Sequence, residues 1–260
     1  MTGTDRKLAL LASPVDRAQD AAAQLSAAIA FVPLAEAETV VVLGGDGFML
    51  QTLHQMLDAG RVVPAYGLNL GTVGFLMNTF DGGDGLIERI ENAKAFAVDP
   101  LRMEAVTQSG ETHSACAINE VSLLRETRQT AKIEVAVNDR VRIPELMCDG
   151  VLVATPAGST AYNLSASGPI LPLDSKMLAL TPISPFRPRR WPGAILPDRS
   201  RVTLRVLEPA KRPVAVVADQ KEIRNVAEVR LEIARDRELT LLFEAGHALD
   251  ERIVAEQFEV

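Results

Sequence analysis

Asp46 sits inside a run of glycines, Gly44-Gly45-Asp46-Gly47, directly after the apolar stretch Val40-Val41-Val42-Leu43. Three of those four apolar residues are β-branched, which predicts a buried parallel strand. From Phe48 the residues Phe48-Met49-Leu50-Gln51-Thr52-Leu53 begin a helical pattern. A strand that ends in glycines and turns into a helix suits a phosphate. Glycine tolerates positive φ and lets a ligand approach the backbone, and a helix start offers free N–H groups. A carboxylate adds nothing to anion binding, so Asp46 is expected to bind a metal or a hydroxyl, or to move a proton.

Three further clusters could do chemistry. Asn119-Glu120 follows the apolar stretch Ala115 to Ile118 and pairs an amide with a carboxylate, which suits a ribose or a base edge. Asp149-Gly150 opens the run Val151 to Thr155-Pro156 and repeats the Asp-Gly theme beside a strand. Ala157-Gly158-Ser159-Thr160-Ala161-Tyr162-Asn163-Leu164-Ser165 combines small residues, hydroxyls and one aromatic face able to stack on a base. An N-capped helix starting near Ser159 accounts for the same residues and is compatible with that role. No G-x-x-x-x-G-K-[ST] is present and no G-x-G-x-x-G follows the first strand, which excludes a P-loop enzyme and leaves a Rossmann dehydrogenase unsupported.

The elements that must position these residues fall into two textures. Lys7 to Ala12 reads as a strand, Ala18 to Ala30 as an alanine-rich helix, and Val62 to Gly67 as a further strand after the Val40 strand and its helix. This alternation predicts a parallel sheet with flanking helices, whose ligands lie at the carboxyl ends of the strands. Asn69-Leu70-Gly71-Thr72-Val73-Gly74-Phe75-Leu76 is a second glycine loop after a strand, and Asp81 to Gly85 reads as a turn into a helix from Leu86 to Ala95.

After Pro100 period-two patterns take over. Ile133, Val135 and Val137, then Val141 and Ile143, alternate with polar neighbours around a hairpin turn at Asn138-Asp139. Further strands are expected at Arg102–Val106, Val151–Thr155, Arg201–Val206, Val214–Ala218, Val229–Ile233 and Leu239–Phe243. The fold class is therefore an α/β N-terminal domain over 1–100 and a mostly antiparallel all-β C-terminal domain over 101–244. A closing helix at Leu249–Phe258 is expected to pack, with the rest of 245–260, back on the first.

The chain has 260 residues, a net charge of -7, 47% hydrophobic and 23% charged residues, the proportions of a soluble globular protein that buries a large core. The acidic balance argues against a nucleic-acid partner, and the basic cluster Arg187-Pro188-Arg189-Arg190 reads as a solvated loop. The polar start and the prolines and glycines that break the uncharged stretch between Asp149 and Asp174 speak against a secretory signal and a membrane span. Cys116 and Cys148 have no partner spacing and read as reduced thiols of a cytoplasmic protein. His54, His113 and His247 are too scattered for a zinc site or a nucleophilic triad.

Taken in order, Gly44-Gly45-Asp46-Gly47, Asn69-Leu70-Gly71 with Gly74-Phe75-Leu76, Asn119-Glu120, and Asp149-Gly150 through Thr155-Pro156 to Gly158-Ser159-Thr160-Ala161-Tyr162 resemble the NAD kinase family. The first element alone is shared with diacylglycerol kinases, so a lipid kinase, and a non-catalytic NAD(P) sensor, stand as alternatives. The resemblance implies transfer of the ATP γ-phosphoryl group, with polyphosphate open as donor, to the 2′-hydroxyl of the adenosine ribose of NAD. It implies a nucleotide-binding first domain and an NAD-binding second one.

Asp46 would be the general base or orienting carboxylate, and Gly44, Gly45 and Gly47 would admit phosphates. Asp46, Gly47, Asn119, Glu120, Asp149, Ala157, Thr160, Ala161, Tyr162, Asn163, Leu164 and Ser165 would hold NAD. A divalent metal, Mg²⁺, would bridge phosphate oxygens, and the protein would be a homodimer or homotetramer of the short bacterial form. Phe48, Ala157 and Ser167 depart from the family pattern, and 171–260 match it only loosely, at Thr181-Pro182-Ile183 and Asp219.

Overall fold

A computed structural model describes residues 6–71 and 74–244. The expected helix at Leu249–Phe258 lies outside them. The described residues form two compact units, one within 6–98 together with 239–244 and one from 99–238.

The first unit is an α/β layer. Strands Leu8–Ala12, Thr39–Gly44 and Ala65–Asn69 pair in parallel, and all six residues of Thr39–Gly44 are buried. A continuously apolar strand of this kind needs cover on both faces, which helices Asp16–Ala28 and Asp46–Asp58 help to supply. The first helix turns Ala18, Ala21 and Leu25 inward, and the second Met49, Leu53, Met56 and Leu57.

Two elements differ from the pattern read in the sequence. The helix from Leu86 stops at Glu91, and Lys94–Val98 is an edge strand instead of its last turn. Leu239–Phe243, expected in the β-rich domain, lies in the first unit's sheet between Ala65–Asn69 and Lys94–Val98, parallel to the former and antiparallel to the latter. The inserted strand is fixed by a polar cluster. Asn78 Nδ2 donates to the carbonyls of Gly67 and Leu242, and Glu244 Oε1 accepts from Arg89 Nε at 3.0 Å and from the Tyr66 hydroxyl.

The second unit is an antiparallel sandwich. One six-stranded sheet runs Arg140–Cys148, Ala131–Val137, Val202–Val206, Val226–Ile233, Leu101–Thr107, Thr112–Ala117. The other runs Ala194–Pro197, Met177–Ile183, Gly150–Ala154, Glu120–Arg125, Val214–Ala218, Lys221–Ile223. Alternate residues such as Met103, Ile133, Val135, Leu204 and Val229 meet Val121, Leu123, Val151, Val153 and Val216 in one dry core.

Asn138 and Asp139 both have positive φ, the geometry of a two-residue hairpin loop whose twist matches its strands. The alternation breaks at Val141, which is half exposed because register shifts interrupt that strand on either side of Ile143. Among the described residues no helix is long and apolar enough to cross a membrane.

Candidate active site

In the first unit the helix begins at Asp46 itself, with Gly45 as an extended cap. Asp46 does not cap its own helix. Its Oδ2 accepts the Phe75 amide at 2.8 Å and its Oδ1 the Leu76 amide at 2.9 Å. The Leu70 amide donates to the Gly44 carbonyl at 2.6 Å, and Asn69 Oδ1 accepts the Gly71 amide.

The two glycine loops are thereby stitched into one turn, with the Asp46 carboxylate as the stitch. Positive φ, the expected reason for the glycines, is absent at Gly44, Gly45 and Gly47. What matters is space. A Cβ on Gly44 would lie 3.0 Å from that of Phe48, whereas one on Gly45 or Gly47 would meet nothing within 4 Å. The backbone at those two positions faces open room at a helix start, where phosphate oxygens find N–H donors. Phe48 uses its side chain in packing against Gly44.

In the second unit Asn119 and Glu120 lead into the strand Glu120–Arg125. Both are half-buried, and Asn119 Oδ1 and Glu120 Oε2 are buried oxygens without a hydrogen-bond partner among the described residues. Burial pushes the Glu120 carboxyl up to about 7, the Asp219 carboxylate adds to the rise, and the Tyr162 amide opposes it. Orphaned buried acceptors are costly unless a ligand supplies donors.

The segment after Gly150–Ala154 packs directly on this pair. Thr155 donates from its amide to the Asn119 carbonyl at 2.9 Å and from its hydroxyl to the Ile118 carbonyl at 2.6 Å. Ala157–Thr160 is a buried 3₁₀ turn and Tyr162–Ser165 a single helical turn, in place of one N-capped helix from Ser159. Ser159 instead accepts the Leu171 amide at 3.0 Å. Gly158 permits the contact, since a Cβ there would lie 2.1 Å from the Asn119 carbonyl oxygen.

Tyr162 is half-buried against Leu152, Ala154, Leu171 and Ala179. Burial, then the charges of Glu120 and Asp149, hold its phenol in the protonated form. Thr160, Ala161 and Leu164 are half-buried and Ser165 is exposed, so this turn presents backbone and small side chains outward.

The side chain of Asn163, expected among the NAD contacts, bonds within the protein. It is fully buried, its Nδ2 donates to the Ser159 and Pro169 carbonyls, and its Oδ1 accepts the Thr181 hydroxyl at 2.6 Å. Its side chain holds the turn in shape. Asp149 pairs with Arg125 Nε at 2.7 Å. Thr155 and Asp219 carry more of the site than the sequence suggests. Asp219, which matches the family pattern only loosely, stands in a two-residue loop, and its partners lie about a hundred residues away in sequence.

Among the described residues no group of three or more His, Cys, Asp or Glu side chains could hold a metal ion. The donor set does not fit a resident metal site.

Residues 118–241 match the family model of the ATP-NAD kinase C-terminal domain. The NAD kinase of Rhizorhabdus wittichii is 61% identical over 99% of this chain and 100% of its own length. That of Zymomonas mobilis is 58% identical over 98% of each. The crystal structure of yeast NADH kinase complexed with NADH superposes with a TM-score of 0.80 at 19% identity, covering 96% of this chain and 86% of that one. An NAD kinase from Archaeoglobus fulgidus in complex with ATP gives a TM-score of 0.76 at 22% identity over 96% of this chain and 98% of that one. These two structures share the fold, while the identity to the bacterial relatives spans both units: the chain belongs to the NAD kinase family.

Proposed function

We propose that this chain is an NAD kinase that transfers the γ-phosphoryl group of ATP to the 2′-hydroxyl of the adenosine ribose of NAD, releasing ADP and NADP. One observation carries the reading: Asn119 Oδ1 and Glu120 Oε2 are buried, adjacent in sequence and unpartnered among the described residues. Two acceptors of this kind match hydroxyl donors, and a ribose diol supplies two. Tyr162 offers a flat face for a base beside them, and Thr160, Ala161, Leu164 and Ser165 line the same turn.

Asp46 is the group that takes the hydroxyl's proton or orients it for attack. Its bonds to the Phe75 and Leu76 amides fix the carboxylate, and an ionised carboxylate has about four acceptor positions in all. Gly45 and Gly47 leave room for the triphosphate, and the transfer needs positioning and charge neutralisation more than covalent help. Mg²⁺ enters with ATP as the substrate complex, held chiefly by phosphate oxygens. A cytoplasmic location, in keeping with the free thiols of Cys116 and Cys148, and a homodimeric or homotetrameric state belong to the same proposal.

Purified protein incubated with NAD, ATP and Mg²⁺ is expected to form NADP. No NADP, or phosphorylation of diacylglycerol in place of NAD, would overturn the reading. Replacing NAD by NADH and ATP by polyphosphate sorts the substrates, and light scattering gives the oligomeric state.

A further inference from the structure

Asp219 occupies the two-residue loop between strands Val214–Ala218 and Lys221–Ile223, with φ at +49°. Aspartate tolerates that left-handed conformation better than most residues, which explains an Asp in the loop but not what its carboxylate does. Both oxygens reach out of the loop. Oδ2 accepts the Ile118 amide at 2.6 Å, and Oδ1 accepts those of Asn119 at 3.0 Å and Glu120 at 3.1 Å. Three successive N–H groups form a concavity that suits an anion, filled here by the protein's own carboxylate.

The carbonyls of the same segment are also committed. That of Ile118 accepts the Thr155 hydroxyl, that of Asn119 the Thr155 amide, and that of Glu120 the Asp219 amide at 3.2 Å. Every backbone polar group of 118–120 is therefore fixed, by Asp219 or by Thr155. The oxygens without partners there, among the described residues, are Asn119 Oδ1 and Glu120 Oε2.

We propose that Asp219 is a positioning residue for the dinucleotide, locking 118–120 so that the side chains of Asn119 and Glu120 stand ready for ribose hydroxyls. The inference rests on the NAD reading above. The charge of Asp219 has a second effect, because it joins burial in favouring the protonated form of Glu120. The groups around Glu120 are Asp219 from the loop and Tyr162 from the short helix, with Asp149 acting on Tyr162. Ionised, Glu120 offers Oε2 to a hydroxyl as an acceptor; protonated, it loses acceptor capacity. NAD capture then weakens as pH falls through about 7, the value to which Glu120 is raised.

Asp219→Asn tolerates the same φ, keeps one oxygen for the amides and removes the charge. The NAD Kd by calorimetry is expected to rise about tenfold, with KM for NAD in step and with kcat and KM for ATP within about twofold. The acid limb of kcat/KM for NAD should move to lower pH. A folded Asp219→Asn protein with the NAD Kd and the acid limb both unchanged would overturn the inference, as would equal losses toward NAD and ATP. In the unaltered protein the amide protons of 118–120 should exchange slowly without ligand, and fast exchange there would refute the lock even if the variant failed to fold. If the unaltered protein makes NADP while Asp219→Asn behaves identically, this inference alone falls. If it neither binds NAD nor makes NADP, the functional reading falls first and takes this one with it.

Discussion

Replacing Asp46 by Asn removes the proposed proton acceptor and leaves one oxygen where two amides now bond. Turnover should fall by about 10²–10⁴-fold, the usual worth of a general base, while calorimetry still detects NAD binding. Unchanged turnover would take Asp46 out of the mechanism. Tyr162→Ala removes a stacking face and should raise KM for NAD roughly tenfold with kcat little altered; the reverse split would contradict stacking. Glu120→Gln should show function opposing stability. The folded protein raises the Glu120 pKa from 4.5 to about 7, so the native state holds more protons than the unfolded one across that window. Stability from this group is therefore present below about 4.5 and lost as pH rises through about 7. At pH 8 Glu120→Gln should be more stable than its parent by on the order of 1–3 kcal/mol while binding NAD less well, and denaturant melts should show the gap closing toward pH 5. A gap independent of pH would refute the assignment.

Two glycines of the same motifs separate backbone space from packing. Gly47→Ala adds a methyl that meets nothing within 4 Å inside a helix, so the melting temperature should hold or rise while KM for ATP increases severalfold. Gly158→Ala puts a methyl 2.1 Å from the Asn119 carbonyl oxygen, and thermal melts should register a clear loss. The strand and helix around Asp46 are legible because their signal is local: an apolar β-branched run, glycines, then helical spacing. Met177–Ile183 is not, since Thr181-Pro182 after the apolar run Met177–Leu180 argues against a central strand. Lys94 and Ala95 read as the end of the helix from Leu86, and pairing of Lys94–Val98 with Leu239–Phe243 overrides that preference. Asn119 and Glu120 can be picked out by residue type, but Asp219 cannot, because its partners are about a hundred positions away in sequence. The partners of the Asn163 side chain are hidden for a related reason: an amide in a polar turn does not announce which carbonyls will claim it.

Over the whole molecule the two units differ in continuity. The sandwich core draws all its members from 101–233, so residues 99–238 expressed alone should fold, with a cooperative melt and dispersed amide resonances. A chain ending before Leu239 should leave the first unit unfolded, since its sheet lacks a strand with neighbours on both sides. That arrangement reverses the order of events on the ribosome. Residues 8–98 emerge first yet must wait for Phe243, about 145 residues later, or roughly 7–30 s at ordinary elongation speed. During that interval the edge of Ala65–Asn69 that Leu239–Phe243 later joins at Ala65 carries only the two-residue strand Asn78–Thr79, paired at Leu68 and Asn69. Nascent chains stalled ahead of Leu239 should resist protease across 99–238 and be cut within 8–98, a window in which a holdase chaperone has its target at the amino-terminal end of the polypeptide.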